Sequence, residues 1–235
     1  MHQGKKFLKL DVDRQILRAG FKFRIVHLSD LHGIYRQDVL EQVQRLHPDV
    51  AVITGDLFDG VQDPADALRF VRELKALTAV LYVPGNHEGF RPDLEELMAQ
   101  MQDHNVAGRT VQMGPVCFHG LTDDKFPEFE TQLEAWKKTD FSDGKYHVLL
   151  YHRADRFDQV KGLGFDLVLS GHVHGGQWRI GSFGLLGPRH TFFPIYTSGR
   201  YEQDGTVLIV SRGLGDRIWV PRIRNMWHLP VIDFV

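Results

Sequence analysis

Val50-Ala51-Val52-Ile53-Thr54 runs straight into Gly55-Asp56-Leu57-Phe58-Asp59. A short β-branched-rich run that is apolar on both alternating faces reads as a strand buried on both sides. The abrupt switch to Gly and Asp places a carboxylate at its carboxyl end. The same pattern recurs in Phe23–Leu28 before Ser29-Asp30-Leu31-His32, and in Ala79–Val83 before Pro84-Gly85-Asn86-His87. It recurs again in Tyr146–Tyr151 before His152, and in Asp166–Leu169 before Gly171-His172-Val173-His174. Between the first three runs lie two helix-like stretches. Asp38–Leu46 carries Val39, Leu40, Val43 and Leu46 on one face, and Pro64–Leu77 begins with a proline suited to a first helical turn. Strands alternating with helices predict an α/β fold, in which ligands gather at the carboxyl ends of the strands.

Further along, Thr110–His119, Thr206–Ser211 and Met226–Ile232 read as strands with few helices between them, while Asp93–Gln102 and Glu128–Lys138 read as surface helices. The expected architecture is therefore α/β: two mixed β-sheets packed as a sandwich and flanked by helices, forming one domain over residues 1–235. Composition fits an ordinary globular protein, with 43% hydrophobic and 25% charged residues among 235. The net charge of −2 argues against a long nucleic acid as partner, because such binding needs a basic excess. Cys117 is the single cysteine, which excludes an internal disulfide and fits a reducing compartment. No apolar run has the length of a signal peptide or a membrane span, so the expected location is cytoplasmic, with peripheral membrane contact still open. No feature speaks to oligomeric state.

The unusual count is 13 histidines. Asp30 and His32, two apart on an extended strand end, point to the same side and can meet one cation. Asp56 is a helix-cap or turn residue in the bland reading, yet a carboxylate can also bridge two cations with its two oxygens. Asn86 offers a neutral oxygen, and the adjacent His87 points elsewhere along the backbone. His172 and His174 put two imidazoles on one side beside glycines that allow close backbone approach. Taken together, these clusters describe a two-metal site, a constellation that suits in-line attack of a metal-activated hydroxide on phosphorus.

Asp30-x-His32, Gly55-Asp56-x-x-Asp59, Gly85-Asn86-His87-Glu88, the isolated His152 and Gly171-His172-x-His174 resemble, in content and order, the signature of the calcineurin-like metallophosphoesterases. Gly175-Gly176-Gln177 and Ser211-Arg212-Gly213-Leu214-Gly215 are similar to the small bacterial phosphodiesterase branch of that superfamily. The resemblance implies a four-layer αββα fold and two divalent ions, and nitrogen and oxygen ligands of this kind accept manganese, iron, zinc or cobalt without selecting among them. It implies that Asp30, His32 and His174 hold one ion, that Asn86, His152 and His172 hold the other, and that Asp56 bridges them. It further implies His87 at the scissile phosphate or leaving oxygen, with Asp59 orienting it. Glu88 departs from the Asp often found after that histidine and is expected to support the site from behind.

The other histidines are expected to be structural, His27 and His147 as hydrogen-bonded strand residues. Asp123 and Asp124 follow the Val116–Gly120 strand and read either as neighbours of the site or, the favoured reading, as a solvated turn, and Cys117 reads as a buried small apolar residue. Residues 176–201 are rich in Gly and large apolar groups, forming either a flap over the core, the favoured reading, or a patch for a lipid-like substrate or membrane surface. Arg212, Arg217, Arg222 and Arg224, with Trp219 and Trp227, add phosphate-binding guanidinium groups unless these are committed to salt bridges. The expected activity is hydrolysis of a phosphodiester or pyrophosphate in a small-molecule or lipid substrate. A lipid-precursor pyrophosphatase acting on a nucleotide-linked acylated sugar is the alternative within that class. A non-catalytic binding module of the same fold is the alternative outside it.

Overall fold

The computed structural model of the chain describes residues 9–60, 62–188, 191–216 and 220–235. His2, His190, Arg217 and Trp219, read above as structural or phosphate-binding residues, lie outside the described residues. In chain order the elements are β1 (Leu10–Leu17), β2 (Phe23–Leu28), α1 (Gln37–Leu46), β3 (Val50–Thr54), α2 (Ala65–Lys75), β4 (Ala79–Val83) and α3 (Leu94–Gln100). They continue with β5 (Thr110–Met113), β6 (Val116–Leu121), α4 (Phe129–Lys137), β7 (Tyr146–Arg153), β8 (Leu167–Gly171), β9 (Arg179–Ile180) and β10 (Phe183–Gly184). The chain closes with β11 (Gly199–Gln203), β12 (Thr206–Val210) and β13 (Trp227–Phe234). Short 3-10 turns follow the strand ends at Glu88–Phe90, Ala154–Gln159 and His174–Gly176.

Two large mixed sheets result, as expected, with strand orders β1-β13-β2-β3-β4 and β11-β12-β8-β7-β6-β5. Their facing surfaces bury Ile25, Val52, Val83, Phe118, Leu150 and Leu169 in one apolar layer. A second layer lies between the first sheet and α1 to α3, through Val39, Val43, Phe70 and Leu97. A third lies under α4, through Leu133, Trp136, Leu149 and Phe157. Strands buried on both faces are what near-continuous apolar runs demand.

Several details differ from expectation. β1 is an additional strand, because its alternation Leu10-Asp11-Val12-Asp13-Arg14 is that of a half-solvated sheet edge and carries a weak apolar signal. Thr110–His119 is a hairpin broken at Gly114-Pro115, not one strand. Met226–Ile232 is realised as β13 and joins the first sheet, between β1 and β2, rather than the second. The runs that precede His152 and His172 belong to the second sheet, so the polar clusters sit at the carboxyl ends of strands from both sheets. His152 lies inside β7, which continues past Tyr151 to Arg153 with a register irregularity against β8.

His27 is fully buried, with Nε2 2.7 Å from Thr54 Oγ1, and His147 is held by His119 and Asp143. Burial, with His228 nearby, pushes the His27 pKa down to about 3. The unfolded chain therefore takes up a proton on acidification through the ordinary histidine range while the folded chain does not. Stability from His27 is complete above its unfolded pKa and is lost as pH falls toward about 3. We expect His27→Gln to flatten this part of the acid unfolding curve, by on the order of 5 kcal/mol across the window, read from urea midpoints at stepped pH.

Candidate metal centre

After β2 and β3 end, their loops remain paired: Asp30 N donates to Gly55 O (3.0 Å), His32 N to Asp56 O (2.9 Å) and Gly33 N to Leu57 O (2.8 Å). This pairing carries Asp30, His32 and Asp56 out of the sheet together. Asp30, His32, Asp56, His172 and His174 all adopt the left-handed backbone region, with φ between 48° and 73°. Each such non-glycine residue costs about 1–3 kcal/mol, so the strain concentrates where the proposed ligands stand. Gly171 lets the end of β8 abut the loop after β2, since a Cβ there would fall on Ser29 Oγ and Asp30 Oδ2.

The donor atoms form adjoining groups, two of which take in the expected ligands, while a third joins His32, Asp59 and His87. In one, His174 Nε2 lies 3.0 Å from His32 Nε2 and 3.4 Å from Asp30 Oδ1. In the other, His152 Nε2 lies 3.1 Å from His172 Nδ1, 3.2 Å from Asn86 Oδ1 and 3.3 Å from Asp56 Oδ2. Asp56 belongs to both groups, and the same Oδ2 is 3.9 Å from His32 Nε2. Two divalent cations suit these residues. With bonds of about 2.1 Å, neighbouring donors on one ion sit about 3.0 Å apart in an octahedral shell and about 3.4 Å apart in a tetrahedral one. His152 Nδ1 lies 2.8 Å from the Thr54 carbonyl and donates to it, which in a neutral ring leaves Nε2 as a lone pair aimed into the second group. Burial alone would lower the His152 pKa, but the Asp56 carboxylate raises it to about 10, so a proton takes that place when no cation does.

Burial would likewise push the Asp56 carboxyl up, yet His152, His87 and His32 hold it well below the usual carboxylate range. Its Oδ1 accepts the His87 amide (2.9 Å), and the Asp30 carboxylate accepts the His172 amide (3.1 Å). His87 is the more open of these residues and packs edge-on against His32 with ring centres 4.7 Å apart. Its Nδ1 is 2.6 Å from Asp59 Oδ1, closer than two donors on one cation would stand, which marks a direct hydrogen bond. Hydrogen bonds from His32 and His87 hold Asp59 far below the carboxylate range.

The profile of the calcineurin-like phosphoesterases matches residues 23–176, from the start of β2 to just past His174. The chain belongs to that family. An uncharacterized metallophosphoesterase of Helicobacter pylori strain J99 is 33% identical over 211 residues, covering 83% of this chain and 55% of that protein. One from Aquifex aeolicus is 29% identical over 234 residues, covering 91% of this chain and 87% of that protein. The solved NAD nucleotidase of Haemophilus influenzae superposes with a TM-score of 0.56 at 12% identity, over 82% of this chain and 51% of that one, a likeness of fold. This calcineurin-like chain spans about half the length of the Helicobacter relative. Family and donor groups together mark these residues as a candidate metal centre.

Other residues that shape the centre of this calcineurin-like chain carry weak sequence signals. Glu88 is fully buried and accepts the amides of Asp56 (3.1 Å), Phe58 (3.1 Å) and Gly85 (2.9 Å), clamping two ligand loops. Asn225 donates to the His174 carbonyl (2.7 Å), and Arg222 Nη2 lies 3.3 Å from His174 Nδ1. Asp123 is not in a solvated turn: it is fully buried, and burial raises its carboxyl to about 7 beside His152 and Arg153. Arg212 and Arg222 are committed to Asp11 and Asp216, as the salt-bridge reading expects. The 176–201 segment departs from a simple flap, since Leu186 and Tyr196 are buried while most of its large apolar side chains are exposed. We expect Glu88→Ala to lose about 3–5 kcal/mol of stability by stranding three buried amides, and to lower metal affinity as Asp56 and Gly85 drift apart. Urea midpoints and titration with manganese would measure both.

Proposed function

We propose that the chain is a phosphohydrolase of the phosphodiesterase type, cleaving a phosphodiester or pyrophosphate bond at the paired donor groups. The observation that carries this reading is the shared Asp56 carboxylate between two groups of separately positioned ligands. Asp30, His32 and His174 would hold one cation, Asn86, His152 and His172 the other, and Asp56 both. Two divalent ions bound there supply Lewis acidity toward a phosphoryl oxygen and an activated water. The chain contributes the rest. Thr54 fixes the His152 tautomer, and Asp59 accepts the His87 Nδ1 proton so that the other ring nitrogen faces the cluster, 3.9 Å from Asp56 Oδ2. His87 is thereby placed to protonate a leaving oxygen, a role that suits a ring beside a ligand but turned away from its ligand atom.

A narrower substrate class, a nucleotide-linked acylated sugar, draws support from a cavity of about 420 Å³ that runs from Val173, between the two ligand histidines, to Phe193 and Ile195. The test is hydrolysis of bis(p-nitrophenyl) phosphate by manganese-loaded protein. We expect chelator-sensitive turnover that disappears in His174→Ala. Activity untouched by chelator or by that substitution would sink the reading. Equal rates on acylated and plain nucleotide diphosphates would remove the narrower class.

A further inference from the structure

Large apolar side chains left in solvent concentrate on one stretch of the described residues. Ile180 is 62% exposed, Phe183 73%, Phe192 69%, Phe193 73% and Ile195 76%. At such exposure these side chains project from the β9–β10 hairpin and the segment after it instead of lying flat in a face. Phe193-Pro194-Ile195 forms a ridge between the cavity beside Val173 and a larger one of about 820 Å³, bounded by Ile180, Phe183 and Arg200. Trp178 and Ile223, joined by a backbone bridge, extend the apolar surface.

The sequence here is rich in arginine: residues 176–201 and 217–228 hold six Arg and no Asp or Glu, with Glu202 and Asp216 just outside them pairing with Arg200 at 3.1 Å and with the buried Arg222 at 3.0 Å. Arg200 and Arg224 are exposed. Arg179 is buried at the base of the hairpin, where its guanidinium donates to the Gly175 and Ser182 carbonyls and to Thr197 Oγ1, with no carboxylate among the described partners. Asp155 and Asp158 lie across the ridge, on the side of the metal centre. Projecting apolar groups with the exposed Arg200 and Arg224 beside them complement an anionic surface with an apolar interior beneath it. A second copy of the chain would instead bring this arginine-rich surface against itself.

We propose that this face docks the protein on an anionic lipid bilayer, with Phe183, Phe193 and Ile195 entering the boundary of headgroups and acyl chains and Arg200 and Arg224 at the headgroups. The docking uses none of the metal ligands and stands or falls separately from the hydrolytic reading. The test is sedimentation of the full chain with phosphatidylglycerol-rich vesicles or with phosphatidylcholine vesicles, in the presence of chelator and without substrate. We expect pelleting with the anionic vesicles, weakened by added salt and much lower on phosphatidylcholine. Phe183→Ser with Phe193→Ser should lower partitioning about tenfold or more at an unchanged thermal midpoint. Arg200→Gln with Arg224→Gln should reduce the preference for the anionic lipid. Quenching of wild-type tryptophan emission by acyl-brominated lipid, lost in Trp178→Phe, provides a check that needs no change to the apolar ridge. No pelleting with phosphatidylglycerol, equal pelleting of the double Ser variant, or a dimer that this variant dissolves would each overturn the proposal.

Discussion

Asp56→Asn should remove nearly all hydrolysis, by roughly 10³-fold or more, the rate equivalent of several kcal/mol of lost charge stabilisation. The substitution keeps the shape of the side chain and its reach toward the His87 amide. It removes the one anionic group that both donor sets share. An amide has a single neutral acceptor oxygen, so it cannot draw two cations together or balance His152, whose nitrogen lies 3.3 Å from Asp56 Oδ2. Bound manganese should fall from about two equivalents toward one or fewer, measured by elemental analysis after gel filtration. Full metal content with lost activity would show that Asp56 acts in turnover and not in holding the ions.

His87→Ala should show the opposite division. Turnover falls roughly 10²–10⁴-fold, the range of a lost general acid, while both ions are retained. The reason is geometric: the neighbouring Asn86 reaches the ligand group at 3.2 Å from His152 Nε2, whereas the His87 ring turns toward Asp59 and His32. Loss of metal in this variant would make His87 a ligand. Asp59→Asn should give a smaller loss with a distinct signature. A carboxylate opposite Nδ1 favours the protonated ring, and an acid catalyst is lost as pH rises and its proton leaves. Without that charge, the alkaline limb of the rate profile should move to lower pH. An unchanged profile would leave Asp59 a purely structural role.

The pieces of the site were legible because its chemistry is local in sequence. Asp30 and His32, Asn86 and His87, and His172 and His174 each sit in one short loop after an apolar strand, where residue type and spacing can be read without knowing the fold. Glu88 was weaker, because its role depends on three backbone amides, two of them from another loop. Asp123 was misread for a related reason. Two adjacent aspartates after a strand look like a solvated turn, and only packing against β7 and Arg153 buries one of them. β13 illustrates the same limit at the level of the fold, since an apolar run carries no mark of which sheet it will join.

From the sequence alone came the α/β alternation, the two-sheet expectation and the residue types gathered at strand ends, all of which follow from short-range periodicity and composition. The tertiary structure alone decided that β2, β3 and β4 of one sheet and β7 and β8 of the other converge, placing His32 Nε2 within 3.0 Å of His174 Nε2 across 142 positions of chain. It also decided that the apolar groups of residues 180–195 project outward. Both outcomes depend on long-range packing free energy, which no local pattern encodes: which faces are covered is settled only when the sheets, helices and loops compete for the same apolar surface.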